Sequence, residues 1–385
     1  MQCSCRYILL AVFFMASHPL LRAQEAWKQG IVKNEFIYLQ APFPQCHAST
    51  IAATPRGLVA AWFGGSNEGN RDVCIYTSHY INNRWAAPVK AADGIINDTL
   101  RYACYNPVLY QVPGGELLLF YKIGPNVAGW TGWMKRSADN GHSWQKPERL
   151  PAGFLGPIKN KPLLVNGQLI CPSSTETNGW TVHFEYTPDQ GRSWTKSAAV
   201  NDGLVSIIQP AICTYPGGGL QAVCRSQQGH IYACWSHDGG IHWDSVAATS
   251  LPNNNSGLDA VTLKDGRQLL VYNHVPPDSG SAEGRGPRTP LNVALSKDGK
   301  NWYAALVLED APALEFSYPS VIQAADGMVH IVYTWHRQRI KHIIVDPSKL
   351  HLQPISEGQW PVYRPLTRDA GSKELSQKKN RGPYL

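Results

Sequence analysis

Short apolar runs recur along the chain, each cut off by Gly, Asp or Pro. Leu58-Val-Ala-Ala-Trp62, Leu117-Leu-Leu-Phe-Tyr121, Leu220-Gln-Ala-Val-Cys224, Leu269-Leu-Val-Tyr272 and Val329-His-Ile-Val-Tyr333 are the clearest. Hardly any stretch carries a helical period, so the pattern predicts strands throughout. Each run is the second strand of a unit that opens with another apolar strand and continues into a third. The unit then closes on a polar hairpin.

The hairpins repeat almost word for word. Ser137-Ala-Asp139-Asn-Gly141-His-Ser-Trp144 returns as Thr187-Pro-Asp189-Gln-Gly191-Arg-Ser-Trp194 and as Ser236-His-Asp238-Gly-Gly240-Ile-His-Trp243. Ser296-Lys-Asp298-Gly299-Lys-Asn-Trp302 is one residue shorter, and Ser78 to Trp85 is a degenerate copy. The four full copies start 50, 49 and 60 residues apart, a spacing that belongs to repeat architectures. Within each copy the Ser or Thr and Asp oxygens accept backbone N–H bonds around a left-handed Gly, and the Trp plugs the gap to the next unit. The acidic spacing and final Glu of an EF-hand are missing, so the motif is a structural staple. Six four-stranded units arranged radially make an all-β, six-bladed β-propeller. The third unit is the least regular, because its second strand runs into Pro172.

Aligning the units places a polar residue at the start of every first strand: His47, Asn106, Lys161, Gln209, Asp259 and Tyr318, four of them before Pro. These converge on one mouth of the central channel. A second ring lies where second strands end and third strands begin, and holds Lys122, Ser174, Arg225, His274, Arg71 with Asp72, and Arg288. Arg225 interrupts an apolar run, which suits a guanidinium forked onto a carboxylate.

Composition refines this picture at the ends. Residues 1–23 carry Arg6, the apolar run Ile8-Leu-Leu-Ala-Val-Phe-Phe-Met15 and a small residue, Ala23, before Gln24. They read as a cleaved secretory signal peptide, too short to span a membrane, and place the protein outside the cytoplasm, secreted or periplasmic. Residues 24–365 form the propeller, and 366–385 a polar, charged tail. Without the signal the formal charge falls from +7 to +5. That excess suits an anionic ligand and is too weak for nucleic acid. The seven remaining cysteines read as buried small hydrophobes, with room for one or two disulfides but no framework. No Cys-x-x-Cys or Cys/His cluster occurs, so no metal or other cofactor is expected.

Asp-containing hairpins in six units resemble the sialidase superfamily, over roughly Gln45 to Asp346, and in particular its divergent sialidase-like, Asp-box (BNR) repeat members. The resemblance implies a tyrosine at the start of the last blade, where Glu315-Phe-Ser-Tyr318-Pro319 stands. It also implies three arginines holding a substrate carboxylate, two of which fall at Arg225 and Arg288. Departures are equally specific. Cys46-His47-Ala48 replaces the family's Arg-Ile-Pro, and Gln209 takes the slot of the glutamate that partners the tyrosine. The acid/base aspartate is expected in Gly64-Gly-Ser-Asn-Glu68-Gly-Asn-Arg71-Asp72, so Glu68 or Asp72 must stand in.

Three readings follow. In the leading one the protein is an exo-acting glycoside hydrolase that releases a terminal acidic sugar from a glycan. Arg225 and Arg288, with Arg71 or Lys161, clamp the carboxylate. Tyr318 is nucleophile or oxocarbenium stabiliser, with His47, Glu315 or Asp259 as its base and Glu68 or Asp72 as the acid. Gln209, Asn106, Asp259 and His274 complete the substrate-binding set. In the second reading the chain is a lyase acting on a uronate, with His47 and Tyr318 sharing base and acid roles. In the third it is a non-catalytic glycan-binding propeller using Trp130, Trp133 and Trp180.

Overall fold

Each apolar run forms a strand whose side chains are buried on both faces, because every sheet packs between two others. In the computed structural model, residues 27–362 are described except 178 and 313, so the signal peptide and the tail lie outside the described residues. Six antiparallel sheets result, each with its strands in meander order. The inner strands of blades 1 to 6 are Gln45–Thr54, Ala103–Gln111, Leu163–Val165, Ile207–Thr214, Asp259–Thr262 and Phe316–Gln323. Blade 6 takes its outermost strand from the start of the described chain: Ile31–Phe36 pairs with Arg339–Val345. That strand, invisible to the repeat pattern, ties the first described residues to the last blade and closes the ring. A short strand, Gln353–Pro354, extends blade 5 beyond Trp302–Glu309.

The hairpins are built as their sequence predicts. In the blade 2 copy, Gly141 N–H donates to Ser137 Oγ at 2.7 Å, and Asp139 accepts from the backbone and hydroxyl of Ser143. The tryptophans fill the seams. Trp243 of blade 4 stacks on Phe184 of blade 3 with ring centroids 3.9 Å apart and planes 11° from parallel. Trp194 of blade 3 meets Phe120 of blade 2 edge-on at 6.3 Å. All seven cysteines among the described residues are buried and free of disulfides.

Blade 3 is irregular for a different reason from the one its sequence suggests. Its second strand, Gln168–Thr175, runs straight through Pro172, which pairs with Phe184. The inner strand is what is curtailed. It pairs only over Leu163 to Val165, and residues 156–162 cross the axis as irregular chain. On that side Pro172, which has no N–H to give, only accepts: the Ile158 N–H of the irregular segment donates to its carbonyl at 2.9 Å.

Candidate active site

The inner strands of blades 1, 2, 4 and 6 share one device, a β-bulge with a non-glycine residue in the left-handed region. Those residues are Ala48 (φ 53°), Asn106 (φ 38°), Gln209 (φ 57°) and Tyr318 (φ 51°). Positive φ costs a side-chain-bearing residue, and such strain collects where a side chain must be re-aimed. The bulge also corrects the alignment made from sequence. Blade 1's equivalent of Tyr318 is Ala48, and His47 stands one residue earlier, beside the bulge. Asp259 opens an unbulged strand and Lys161 lies on irregular chain, so the ring has four equivalent members rather than six.

Three of the four line a cleft of about 310 Å³ at one mouth of the channel, together with Glu68, Glu176, Trp130, Trp180, Arg225, Asn255, Arg285 and Arg288. Arg225 organises its floor. Its Nη1 donates to the Tyr318 hydroxyl at 2.7 Å and to Gln209 Oε1 at 3.3 Å, while Nε and Nη2 both reach Asn255 Oδ1. Its guanidinium also lies 5.2 Å from the Trp180 ring. Arg288 sits 5.5 Å from the Tyr318 ring and donates to Glu315 Oε1 at 2.7 Å. A third arginine arrives from an unforeseen place. Arg337, in the blade 6 turn between the second and third strands, also adopts positive φ, bonds Glu315 Oε2 at 3.1 Å and reaches Glu68 at 2.6 Å. Glu315 thus bridges two guanidinium groups. Burial raises its carboxyl, but Arg288 and Arg337 outweigh burial and leave it below its usual value.

His47 is buried, with its ring centroid 4.2 Å from that of Tyr318 and Nδ1 3.0 Å from Thr334 Oγ1. Burial first, and then Arg337, Arg288, Arg225 and Lys159, push its pKa far down, so this imidazole is neutral. Glu176 behaves oppositely to Glu315: burial raises its pKa despite Arg225 and Arg285. It is a carboxyl held toward its acid form within the cleft.

Beneath Tyr318 the irregular segment of blade 3 plugs the channel. Lys159 Nζ donates to the carbonyls of Leu258 and Pro319, Asn160 Nδ2 to that of Gln209, and Lys161 Nζ to Asp259 and Ser320. Three consecutive side chains therefore tie blade 3 to blades 4, 5 and 6, two of them at the carbonyls of or next to bulge residues. Burial lowers Lys159 to about 7.

Of the residues singled out from sequence, Tyr318, Arg225, Arg288, Gln209, Asn106 and Glu68 share the cleft, with His47 and Glu315 packed against it. Others lie elsewhere. Asp72 is exposed and staples its own loop by accepting from the backbone and hydroxyl of Ser66. Arg71 is exposed on that loop, and neither it nor Asp72 lines the cleft. Lys161 and Asp259 pair with each other at 2.6 Å and border a separate cavity toward the opposite mouth. His274 bonds Tyr272 and the Gly358 carbonyl against Trp360, away from the cleft, and burial takes it to about 4. Arg337, Glu176, Lys159 and Asn255 went unpredicted. Glu176 had a signal, since it lies two residues beyond Ser174 of the second ring. Arg337 had none, because a turn cation aimed inward reads like any exposed one.

Among solved structures, the NanB sialidase of Streptococcus pneumoniae superposes with a TM-score of 0.65 at 14% identity, over 82% of this chain and 71% of that one. A protein of unknown function from Dyadobacter fermentans gives 0.66 at 17% identity, over 84% and 99%. The intramolecular trans-sialidase of Ruminococcus gnavus gives 0.64 at 13%, over 84% and 99%. At such identities the likeness is one of fold. No curated protein matches at the level of sequence. The BNR repeat-like domain, however, matches residues 56–331, most of the six blades. The chain belongs to the BNR repeat-like domain family, on a sialidase-type six-bladed propeller.

Proposed function

We propose that the protein is an exo-acting glycoside hydrolase that removes a terminal acidic sugar from glycans. One observation carries this reading: Arg225 and Arg288 flank Tyr318 at the floor of a cleft that also holds a raised carboxyl, with Arg337 joined to Arg288 through Glu315. Guanidinium groups are suited to fixing a planar carboxylate by paired bonds. Tyr318, pinned through its hydroxyl by Arg225, faces the carbon that would develop oxocarbenium character. A tyrosine in that role is the recognised exception to the two-carboxylate scheme of glycoside hydrolysis. Glu176, whose carboxyl burial shifts toward the acid form, supplies the proton to the leaving oxygen, and Glu68 on the facing rim is the other candidate. Outside the cytoplasm, where the N-terminal sequence would send it, such an enzyme meets its glycans directly.

A second reading is favoured by one feature, the neutral His47 against Tyr318 with Gln209 in place of a carboxylate. In a uronate lyase the arginines acidify the proton beside the carboxylate, His47 removes it and Tyr318 protonates the leaving oxygen. Incubation with 3′-sialyllactose and glucuronate-capped oligosaccharides separates the two. Released acidic sugar without new ultraviolet absorbance is hydrolysis, and an absorbing unsaturated product is elimination. No product from any acidic glycan overturns both.

A further inference from the structure

The loop that joins blade 4 to blade 5, Asn253-Asn-Asn-Ser-Gly-Leu258, is buried from end to end. Connecting segments ordinarily run over the surface, because their backbone polar groups need partners. Here three consecutive asparagines supply them. Asn253 Oδ1 accepts the N–H groups of Ser226 at 3.1 Å and Asn255 at 3.2 Å. Asn254 Nδ2 donates to the Pro287 carbonyl, and the Asn254 carbonyl accepts the Gly286 N–H at 3.2 Å. Asn255 Nδ2 donates to the Glu283 carbonyl at 2.7 Å, while its Oδ1 takes both Nε and Nη2 of Arg225. Asn255 also sits at φ 56°, a conformation that asparagine tolerates better than most residues.

These bonds share one destination. Ser226 follows Arg225, and Gly286 and Pro287 lead into Arg288. Gly257 lies against Tyr318, so that a Cβ built on it would stand 3.2 Å from ring atoms Cγ and Cδ2. One buried loop therefore reaches the tyrosine and both arginines beside it.

Charge separates the two arginines. Arg288 and Arg337 share Glu315, and Arg337 also pairs with Glu68. Arg225 makes no ion pair among the described residues, and its anchors Asn255, Gln209 and Tyr318 are neutral. A carboxamide fixes the guanidinium without cancelling its charge, whereas a carboxylate of the same shape would cancel it.

We propose that Asn255 and Gly257 are positioning residues of the axial cleft. Asn255 fixes Arg225 and leaves its charge to an acidic ligand, and Gly257 seats the ring of Tyr318. This rests on the arginines clamping a carboxylate, which hydrolysis and elimination share.

The test titrates N-acetylneuraminic acid, glucuronic acid and their methyl esters by ligand-observed NMR. Asn255→Asp keeps the shape and the Arg225 anchor and adds one negative charge. It is expected to weaken binding of the acid about tenfold and to leave the ester within about twofold. A merely structural asparagine would move both alike or neither, and either result overturns its assignment. Gly257→Ala presses on Tyr318 and not on the arginines, so on 3′-sialyllactose or a glucuronate-capped oligosaccharide kcat should fall about tenfold with KM within about twofold. An unchanged kcat, or a KM that rises in step, overturns the seat. Arg225→Ala separates the two kinds of failure. If it abolishes acid binding while Asn255→Asp does not weaken it, the clamp stands and the role of Asn255 falls. If it leaves acid binding intact, or the wild type binds neither acid, the clamp falls and takes the role of Asn255 with it.

Discussion

Arg225 Nη1 donates to the Tyr318 hydroxyl at 2.7 Å, while the rest of its guanidinium is anchored on Asn255 Oδ1 at 2.7 and 2.9 Å. The fork is what allows one side chain to hold the tyrosine and still present a face to the cleft. Lysine keeps the charge but has no fork. Arg225→Lys is therefore expected to cut kcat/KM on an acidic glycan by about a hundredfold, with Tyr318→Phe losing at least as much in kcat. Steady-state kinetics of both variants check this. If Tyr318→Phe retains wild-type kcat, the axial site is misassigned.

With Glu176 as proton donor, the hydrolase reading predicts a specific pH dependence. Burial raises its pKa, so its acid form persists to higher pH than an exposed glutamate's. Activity should fall as pH rises through that raised value, and Glu176→Gln should flatten the alkaline limb while lowering kcat by about a hundredfold. His47 adds no acid limb near pH 6, because its pKa lies well below 6.5. A profile that Glu176→Gln leaves unchanged, but Glu68→Gln alters, moves the acid role across the cleft.

How far the sequence discloses this site depends on what kind of interaction made each part. The propeller is legible because strands and hairpins are local and repeat, and each copy corroborates the others. Tyr318, Gln209 and Asn106 are legible because the same bulge precedes a proline in three blades. His47 slipped by one residue because its bulge has Ser49 where those blades have proline, and only the backbone shows that Ala48 carries the positive φ. Arg337 and Glu176 stayed hidden because they reach the cleft from loops, where direction is set by tertiary contacts and not by periodicity. Asp72 looked catalytic for the converse reason. It has the right residue type in the right loop, yet both its oxygens are spent on Ser66.

The seam stacking has a measurable weight. Trp243 and Phe184 lie nearly parallel at 3.9 Å across the junction of blades 3 and 4. Trp243→Ala removes that stack and leaves a cavity that neighbouring sheets cannot close, for a loss of about 3 kcal/mol. Denaturant unfolding should show the midpoint fall with little change in slope. A loss below about 0.5 kcal/mol would mean the tryptophan is a passive cover.

Lys159 makes stability depend on pH in an unusual direction. Burial lowers its pKa from 10.5 to about 7, an effect that Asp259 opposes and that Lys161 and Arg225 reinforce. Between those values the unfolded chain binds the proton that the folded chain has lost, so stability rises with pH across the window. Relative to Lys159→Met, the wild type should gain about 2 kcal/mol between pH 7 and pH 9. Denaturation curves of the pair at the two pH values measure the difference directly, and groups common to both proteins cancel. A constant difference would place the Lys159 ammonium in contact with water.

Gln209→Glu tests why this cleft lacks a carboxylate at its fourth-blade bulge. Gln209 Oε1 accepts from Arg225 at 3.3 Å, so a glutamate there meets a guanidinium already bonded to Tyr318. If Tyr318 acts as a nucleophile in hydrolysis, the new carboxylate supplies a base within its network, and kcat should rise severalfold, up to about tenfold. If His47 instead abstracts a proton beside a uronate carboxylate, the added negative charge draws Arg225 away from the substrate. Elimination should then slow by a similar factor. The two readings predict opposite signs for one substitution that preserves volume and shape. Parallel assays for released sugar and for the unsaturated product give the answer in a single variant.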